Sequence, residues 1–335
     1  PAFLIIFIFP LPAMLAGEIL TVSTIRPVHT YSIVARDPAS GQLGVAVQSH
    51  WFSVGALIPW AEAGTGAVAT QSFVDVRYGV SGLELMGEGM TAQAALDRLV
   101  REDPNPEVRQ VSMIDARGNV ATYTGADCIE FAGHLQGENF SVQSNLMIKE
   151  GVPEAMAAAF KEARDSLAER MLAALEAAQA AGGDLRGKQS AALLVVSGQS
   201  SGRPWQDRIV DLHIEDHPTP LQELRRLLNL NTAYEHMNRG DHALENNDVA
   251  GALGEYGKAQ ALVPDNLEMK FWHAVALVNA GKQEAAMSLF STIFRQDERW
   301  RILLPRLAEA GLLTADPAAL KQFVNAGLIT EENSQ

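Results

Sequence analysis

Hydrophobic and polar positions change period once along this chain. Between residues 30 and 217 short runs alternate apolar and polar side chains, the period of a strand. "TYSIVARD" and "QLGVAVQS" flank the turn "PASG" and predict a β-hairpin. "GTGAVATQSF" predicts a third short strand with a glycine entry, and "RQVSMIDARGNVATYTG" a second hairpin turning at "ARGN". Between them "GLELMGEGMTAQAALDRLVRED" has helical spacing, ended by Pro104 and Pro106. "VPEAMAAAFKEARDSLAERMLAALEAAQAAGG" predicts one long Ala-rich helix, opened by Pro153 and closed by Gly182 and Gly183. "SAALLVVS" and "DRIVDLHIED" close this half as strands. Hairpins interleaved with helices predict an α+β domain with a mainly antiparallel sheet, not a doubly wound array.

After "HPTPLQELRRLLNL" the strand period vanishes, and residues 231–335 are helical in pattern. They also repeat every 34 residues. With the first unit ending at Asn266, Gly240, Ala252, Tyr256, Ala259 and Pro264 occupy tetratricopeptide positions. In the next unit Ala274, Ala286 and Phe290 do so. Small residues there let two helices approach, and the aromatic fills the gap between them. A third helical pair at 299–325 would cap the array. The pattern thus divides the chain into a leader at 1–29, an α+β domain at 30–218, a linker helix at 219–230 and helical repeats at 231–335.

Composition narrows the partners. The chain has 335 residues, 26 of them basic and 40 acidic, for a net charge of -14. Nucleic acid and anionic lipid both require a basic footprint, so neither is expected as a main partner. The single cysteine, Cys128, excludes an intramolecular disulfide and a Cys-cluster zinc site. "AFLIIFIFPLPAMLA" (2–16) is an uncharged apolar run of signal-peptide length, too short to span a bilayer as a helix and interrupted by two prolines. Neither Met nor a basic segment precedes it, which reads as a truncated export signal with cleavage after Ala16. A periplasmic or secreted protein is expected, with a signal-anchored form as the alternative and no membrane contact after signal removal.

Candidate chemistry is sparse. The first domain has no Walker loop, dinucleotide fingerprint or G-x-S-x-G elbow, and no cofactor is expected. In "DLHIEDH" Asp211, His213 and Glu215 share one strand face with His217 just beyond, but no second source of metal ligands accompanies them, so no metal is assigned. "GGDLRGKQS" places Asp184, Arg186 and Gln189 in a loop feeding an apolar strand. There Arg186 suits two-point recognition of a carboxylate, oriented by Asp184, or forms a loop salt bridge with it. Cys128 in "TGADC" reads as a small buried hydrophobe.

Six blocks, "TYSIVARDPASGQLGVAVQS", "PWAEAGTGAVATQ", "YGVSGLELMGEG", "TGADC", "GDLRGKQSAALLVV" and "VDLHIEDHPTPLQELRRL", occur in family order. Together they resemble the family called domain of unknown function 1028, over roughly residues 30 to 228. The resemblance implies a four-layer αββα fold of the Ntn-hydrolase type. In that type an N-terminal Thr, Ser or Cys is the nucleophile and its own amine the base. Members that begin Met-Thr would expose the threonine matching Thr30 once Met is removed. This chain departs from that arrangement, because 29 residues precede Thr30. It also has no lysine before Lys149, so the lysine that proteasome-like relatives place near the nucleophile has no counterpart.

On that resemblance Thr30 is the expected nucleophile, with Ser49 and Asn145 as catalytic partners. Thr70, Gln71, Asp184, Arg186 and Gln189 are expected at the substrate. The expected function is an exported amidohydrolase acting on a small amide or N-acyl substrate, with the repeats recruiting a protein or peptide. The alternative is a non-catalytic scaffold, an Ntn-like platform with a tetratricopeptide docking arm.

Overall fold

In the computed structural model, which describes residues 30–328, the first hairpin joins β1 (Thr30–Arg36) to β2 (Leu43–Ser49) and pairs Thr30 with Ser49. There follow β3 (Pro59–Glu62), β4 (Gly66–Ser72), α1 (Arg77–Gly87), α2 (Ala92–Glu102), β5 (Arg109–Asp115) and β6 (Val120–Thr124). A hairpin that the pattern did not announce comes next, β7 (Gly133–Gly137) with β8 (Phe140–Ser144). Then come α3 (Val152–Glu162), α4 (Leu167–Ala180), β9 (Ser190–Val196), the single turn α5 (Pro204–Asp207) and β10 (Arg208–Ile214). The remaining helices are α6 (Pro220–Glu245), α7 (Val249–Leu262), α8 (Leu267–Asn279), α9 (Gln283–Gln296), α10 (Arg299–Glu309) and α11 (Pro317–Val324). The predicted export signal lies outside the described residues. Among those described, no helix is long and apolar enough to cross a membrane.

Two predicted helices are each two. The run 82–103 divides into α1 and α2, because Gly89 takes φ 99° and Thr91 then caps α2, its side chain accepting from Ala94 N. The run 152–183 divides into α3 and α4, because Ala163 turns extended and the Ser166 hydroxyl accepts from Glu169 N. A capping side chain outweighs the helix propensity of the alanines around it.

The strands form two antiparallel sheets, one in the order β10-β9-β2-β1-β8-β7 and one in the order β3-β4-β5-β6. Period-two alternation sends Tyr31, Ile33 and Ala35 to a core shared with Phe160, Met171 and Leu175 of α3 and α4. From the intervening positions Val34 joins Val45, Val47, Ala67, Ala69 and Ile114 between the sheets. The outer face of the four-stranded sheet packs Val68, Val111 and Met113 on Tyr78, Leu83 and Leu96 of α1 and α2. Both faces of the central strands are therefore buried.

Helix α6 runs unbroken through the expected boundary at 230/231. Its Leu221, Leu224 and Leu228 complete the core under the six-stranded sheet, and its Ala233 and Met237 pack with Ala252, Tyr256 and Ala259 of α7. Gly240 lies so close to Tyr256 that a Cβ would stand 2.6 Å from the ring. A second helical core gathers Phe271, Phe290 and Phe294 with Leu304 and Phe323.

A chain ending after residue 230 keeps all three leucines of α6 and should unfold in one cooperative transition. A chain ending at 218 uncovers that core and should lose on the order of 5 kcal/mol, from about 1.5–3 kcal/mol per buried leucine. Denaturant titration of the two truncations checks this, and equal stability would place the leucines outside the cooperative core.

Candidate functional site

Strand direction decides where the candidate residues meet. The start of β1, the end of β2, the end of β8 and the start of β9 lie at one end of the six-stranded sheet, with Thr30, Ser49, Ser144 and Ser190 gathered there by the register. Tyr31 turns toward the helical layer, so Thr30 beside it faces the opposite sheet, as Ser32 and Val34 do. Its Oγ1 donates to Ser49 Oγ at 3.1 Å. Its carbonyl accepts from Asn145 N at 3.1 Å and from Gln71 Nε2 at 3.1 Å.

Around this point the space between the sheets is polar. Gln71 Nε2 donates to Gln110 Oε1 at 2.7 Å, and Asn145 Nδ2 to the same oxygen at 2.8 Å. Gln110 Nε2 stands 3.0 Å from both Thr124 Oγ1 and the Ser144 carbonyl. Ser32 Oγ donates to Gln71 Oε1 at 2.7 Å, and Gln143 Nε2 reaches Ser32 Oγ at 3.2 Å. Thr30, Ser32, Ser49, Gln71, Gln110, Gln143 and Asn145 are fully buried. Burying an amide without a partner costs about 1–3 kcal/mol, which explains why these groups pair with one another.

Sequence reasoning missed Ser32, Gln110 and Gln143. Alternation in "TYSIVARD", "RQVSMID" and "SVQS" puts each on a polar face. It does not reveal that this face is covered by a second sheet.

The loop at 184–189 closes the same end. Asp184 accepts from Arg186 Nε at 3.1 Å, Arg186 Nη2 at 2.7 Å, Arg186 N at 2.9 Å and His50 N at 3.2 Å. Its side chain is fully buried while that of Arg186 is 27% exposed. Burial raises the pKa of the nearby Tyr31 hydroxyl, and the Asp184 carboxylate raises it further, so Tyr31 stays protonated. Gln189 joins through its backbone, N to the Ser49 carbonyl at 3.1 Å and carbonyl from His217 N at 2.8 Å.

Not every candidate converges. Thr70 precedes Gln71 on β4 and so points to the other face, where its Oγ1 donates to the Asp75 carbonyl at 3.2 Å. Cys128 donates to the Arg109 carbonyl at 3.3 Å, and burial pushes its thiol pKa up, away from the nucleophilic thiolate. On edge strand β10, His213 pairs with Asp211 at 2.9 Å and stands against Gly55, where a Cβ would lie 2.5 Å from Nδ1.

Two further features mark the Thr30 end. Of the six non-glycine residues with positive φ among those described, Ser53, Ser72, Phe131 and Leu146 lie in the segments around it. Backbone strain of this kind costs about 1–3 kcal/mol per residue and clusters at functional sites. His50 Nδ1 and Ser144 Oγ are also buried without a hydrogen-bond partner among the described residues. Chemically, the Thr30 hydroxyl meets the Ser49 hydroxyl while amides of Gln71 and Asn145 hold its carbonyl. Such neighbours orient a nucleophile and donate to an oxyanion, but they are poor bases.

No curated protein matches the chain. The fold is similar to the crystal structure of protein SPO2555 from Silicibacter pomeroyi, a protein assigned to the DUF1028 family, with a TM-score of 0.54 and 29% identity. The likeness covers 60% of this chain and 88% of that one. The model of the Family of unknown function (DUF1028) matches residues 30–224, from Thr30 into the first turns of α6. The chain, through the domain that carries this site, belongs to the DUF1028 family.

Proposed function

We propose that this protein is an exported N-terminal-nucleophile amidohydrolase on an Ntn-type αββα sandwich, acting on a small amide or N-acyl substrate. One observation carries the reading. Thr30 opens a central strand, faces the space between the sheets and hydrogen-bonds Ser49 Oγ at 3.1 Å, amid amide donors.

The first step frees the nucleophile. Thr30 Oγ1 attacks the carbonyl carbon of His29, the Thr30 nitrogen leaves as a free amine, and water hydrolyses the resulting ester. That amine, with a pKa of about 8, then takes the hydroxyl proton as Oγ1 attacks a substrate amide. The same proton passes to the departing substrate amine, and water releases the acyl group as an acid. Ser49 and Gln71 position Thr30, and Asn145 Nδ2 serves as the oxyanion donor. Thr70 has no part in this scheme. The C-terminal helices act as a tetratricopeptide-type array for a protein or peptide, a reading supported by the close approach of Gly240 to Tyr256. Intact-mass measurement tests the scheme: the active form should begin at Thr30, and an active form beginning upstream would remove the amine-base mechanism.

A second reading, a non-catalytic platform, draws on Arg186. Both Nε and Nη2 of that residue point at Asp184, as in a structural pair. If Arg186 instead holds a substrate carboxylate beside Asp184, Arg186→Lys keeps the charge but loses the planar fork. The catalytic reading then expects kcat/KM to fall by about 2–4 kcal/mol in transition-state binding, with a smaller loss of folding stability. Thermal unfolding beside turnover decides, and equal losses in both favour the platform.

A further inference from the structure

The loops around Thr30 carry large apolar side chains that the fold leaves in water. Phe52 is 63% exposed, Leu185 60% and Ile148 50%, and Ile129 and Phe131 are also exposed. They come from four segments: after β2, between β6 and β7, after β8, and the loop at 184–189. These segments are tied together. Leu146 N donates to the Ile129 carbonyl at 3.3 Å, Leu185 N to the Leu146 carbonyl at 3.1 Å, and Ile148 N to the Gly183 carbonyl at 3.1 Å. Asp184 then takes His50 N at 3.2 Å, two residues before Phe52. Asn145, which holds the Thr30 carbonyl, directly precedes Leu146. The exposed apolar residues therefore stand on segments hydrogen-bonded to one another at the strand end that bears Thr30, and together they make an apolar rim there.

Phe131 adopts φ 58°, a left-handed conformation that is strained for an aromatic residue. Strain at an exposed aromatic contributes nothing to the core, since Phe131 is absent from every buried cluster.

We infer that the site takes amides whose acyl group is apolar, the chain lying across this rim; the inference rests on the hydrolase reading. An amide that reaches Thr30 must bring its carbonyl to Oγ1, so the group joined to that carbonyl lies beside the rim. The charge pattern suits no anionic membrane surface: the chain carries -14 overall, and Glu130 stands between Ile129 and Phe131. Next to Leu185 in the chain, Arg186, paired with Asp184, brings a guanidinium to the same loop, which suits a carboxylate on the amine portion.

The test uses N-acetyl-, N-hexanoyl- and N-decanoyl-glycine with the purified protein in the processed form that intact mass identifies. Calorimetry reads binding, and glycine release reads hydrolysis. Affinity should rise at least about tenfold from acetyl to decanoyl, modest beside the factor of about four that each fully buried methylene contributes. Phe52→Ser combined with Leu185→Ser should flatten that rise, and Trp205→Ser, at an exposed apolar site on α5, should change nothing. No rise in the wild type overturns the inference, as does a rise indifferent to the double variant. Adsorption to phosphatidylcholine vesicles that depends on Phe52 and Leu185, without acyl-length dependence, overturns it in favour of a lipid surface. Chain-length-dependent binding without glycine release upholds the apolar ligand and retires the hydrolase reading; equal hydrolysis of all three compounds does the reverse.

Discussion

Thr30→Ala should lower hydrolysis by more than about a thousandfold, the scale on which loss of a covalent nucleophile acts. It should also leave residue 29 attached, because the same hydroxyl opens that bond. Folding stability should fall by about 1 kcal/mol, the net worth of a hydrogen bond such as Thr30–Ser49. Thr30→Ser keeps the oxygen and should retain both release and turnover. Intact mass, urea unfolding and amide hydrolysis on the three proteins separate these effects. Alanine turnover within about tenfold of wild type would show that another group does the chemistry.

The second large effect belongs to Gln110, where the polar layer converges. Its Oε1 accepts from both Gln71 and Asn145, and its Nε2 serves Thr124 Oγ1 and the Ser144 carbonyl. Gln110→Leu preserves volume but strands these partners between the sheets. Each orphaned group costs about 1–3 kcal/mol, so a loss of about 3–5 kcal/mol is expected from the set. That is a large part of the roughly 5–15 kcal/mol by which domains are typically stable. Any turnover should fall too, since Gln71 and Asn145 both hold the Thr30 carbonyl and both lean on Gln110. Denaturant midpoints measure the first effect. A loss below about 1 kcal/mol would mean that water replaces Gln110 without penalty and that the network does not order the site.

Local pattern was sufficient where one side chain or one turn decides the structure. "PASG" between two alternating runs specifies the β1–β2 hairpin, and that hairpin sets Thr30 opposite Ser49. The two glycines after the Ala-rich run mark where α4 ends. The change of period near residue 217 locates the passage from sheet to helices, but not the continuity of α6, because a helix can bury one face in two cores while its sequence shows only apolar spacing. Helix interruptions at Thr91 and Ser166 were legible in principle as caps, and were hidden by the strong helical propensity on either side.

For the candidate site the division is sharper. Local pattern names the residues able to act: a threonine opening a strand, an Asp-Leu-Arg loop before another strand, and polar residues at alternating positions. Which of them meet depends on how the two sheets pack. That packing brought Thr30, Ser49, Gln71, Asn145, Asp184, Arg186 and the backbone of Gln189 to one end of the sandwich. It turned Thr70 to the other face, and it recruited Gln110 and Gln143, which are far from Thr30 in sequence. The cause is the pleat together with the second sheet. Alternation assigns each side chain to a face, but whether that face meets water or another polar layer depends on long-range packing.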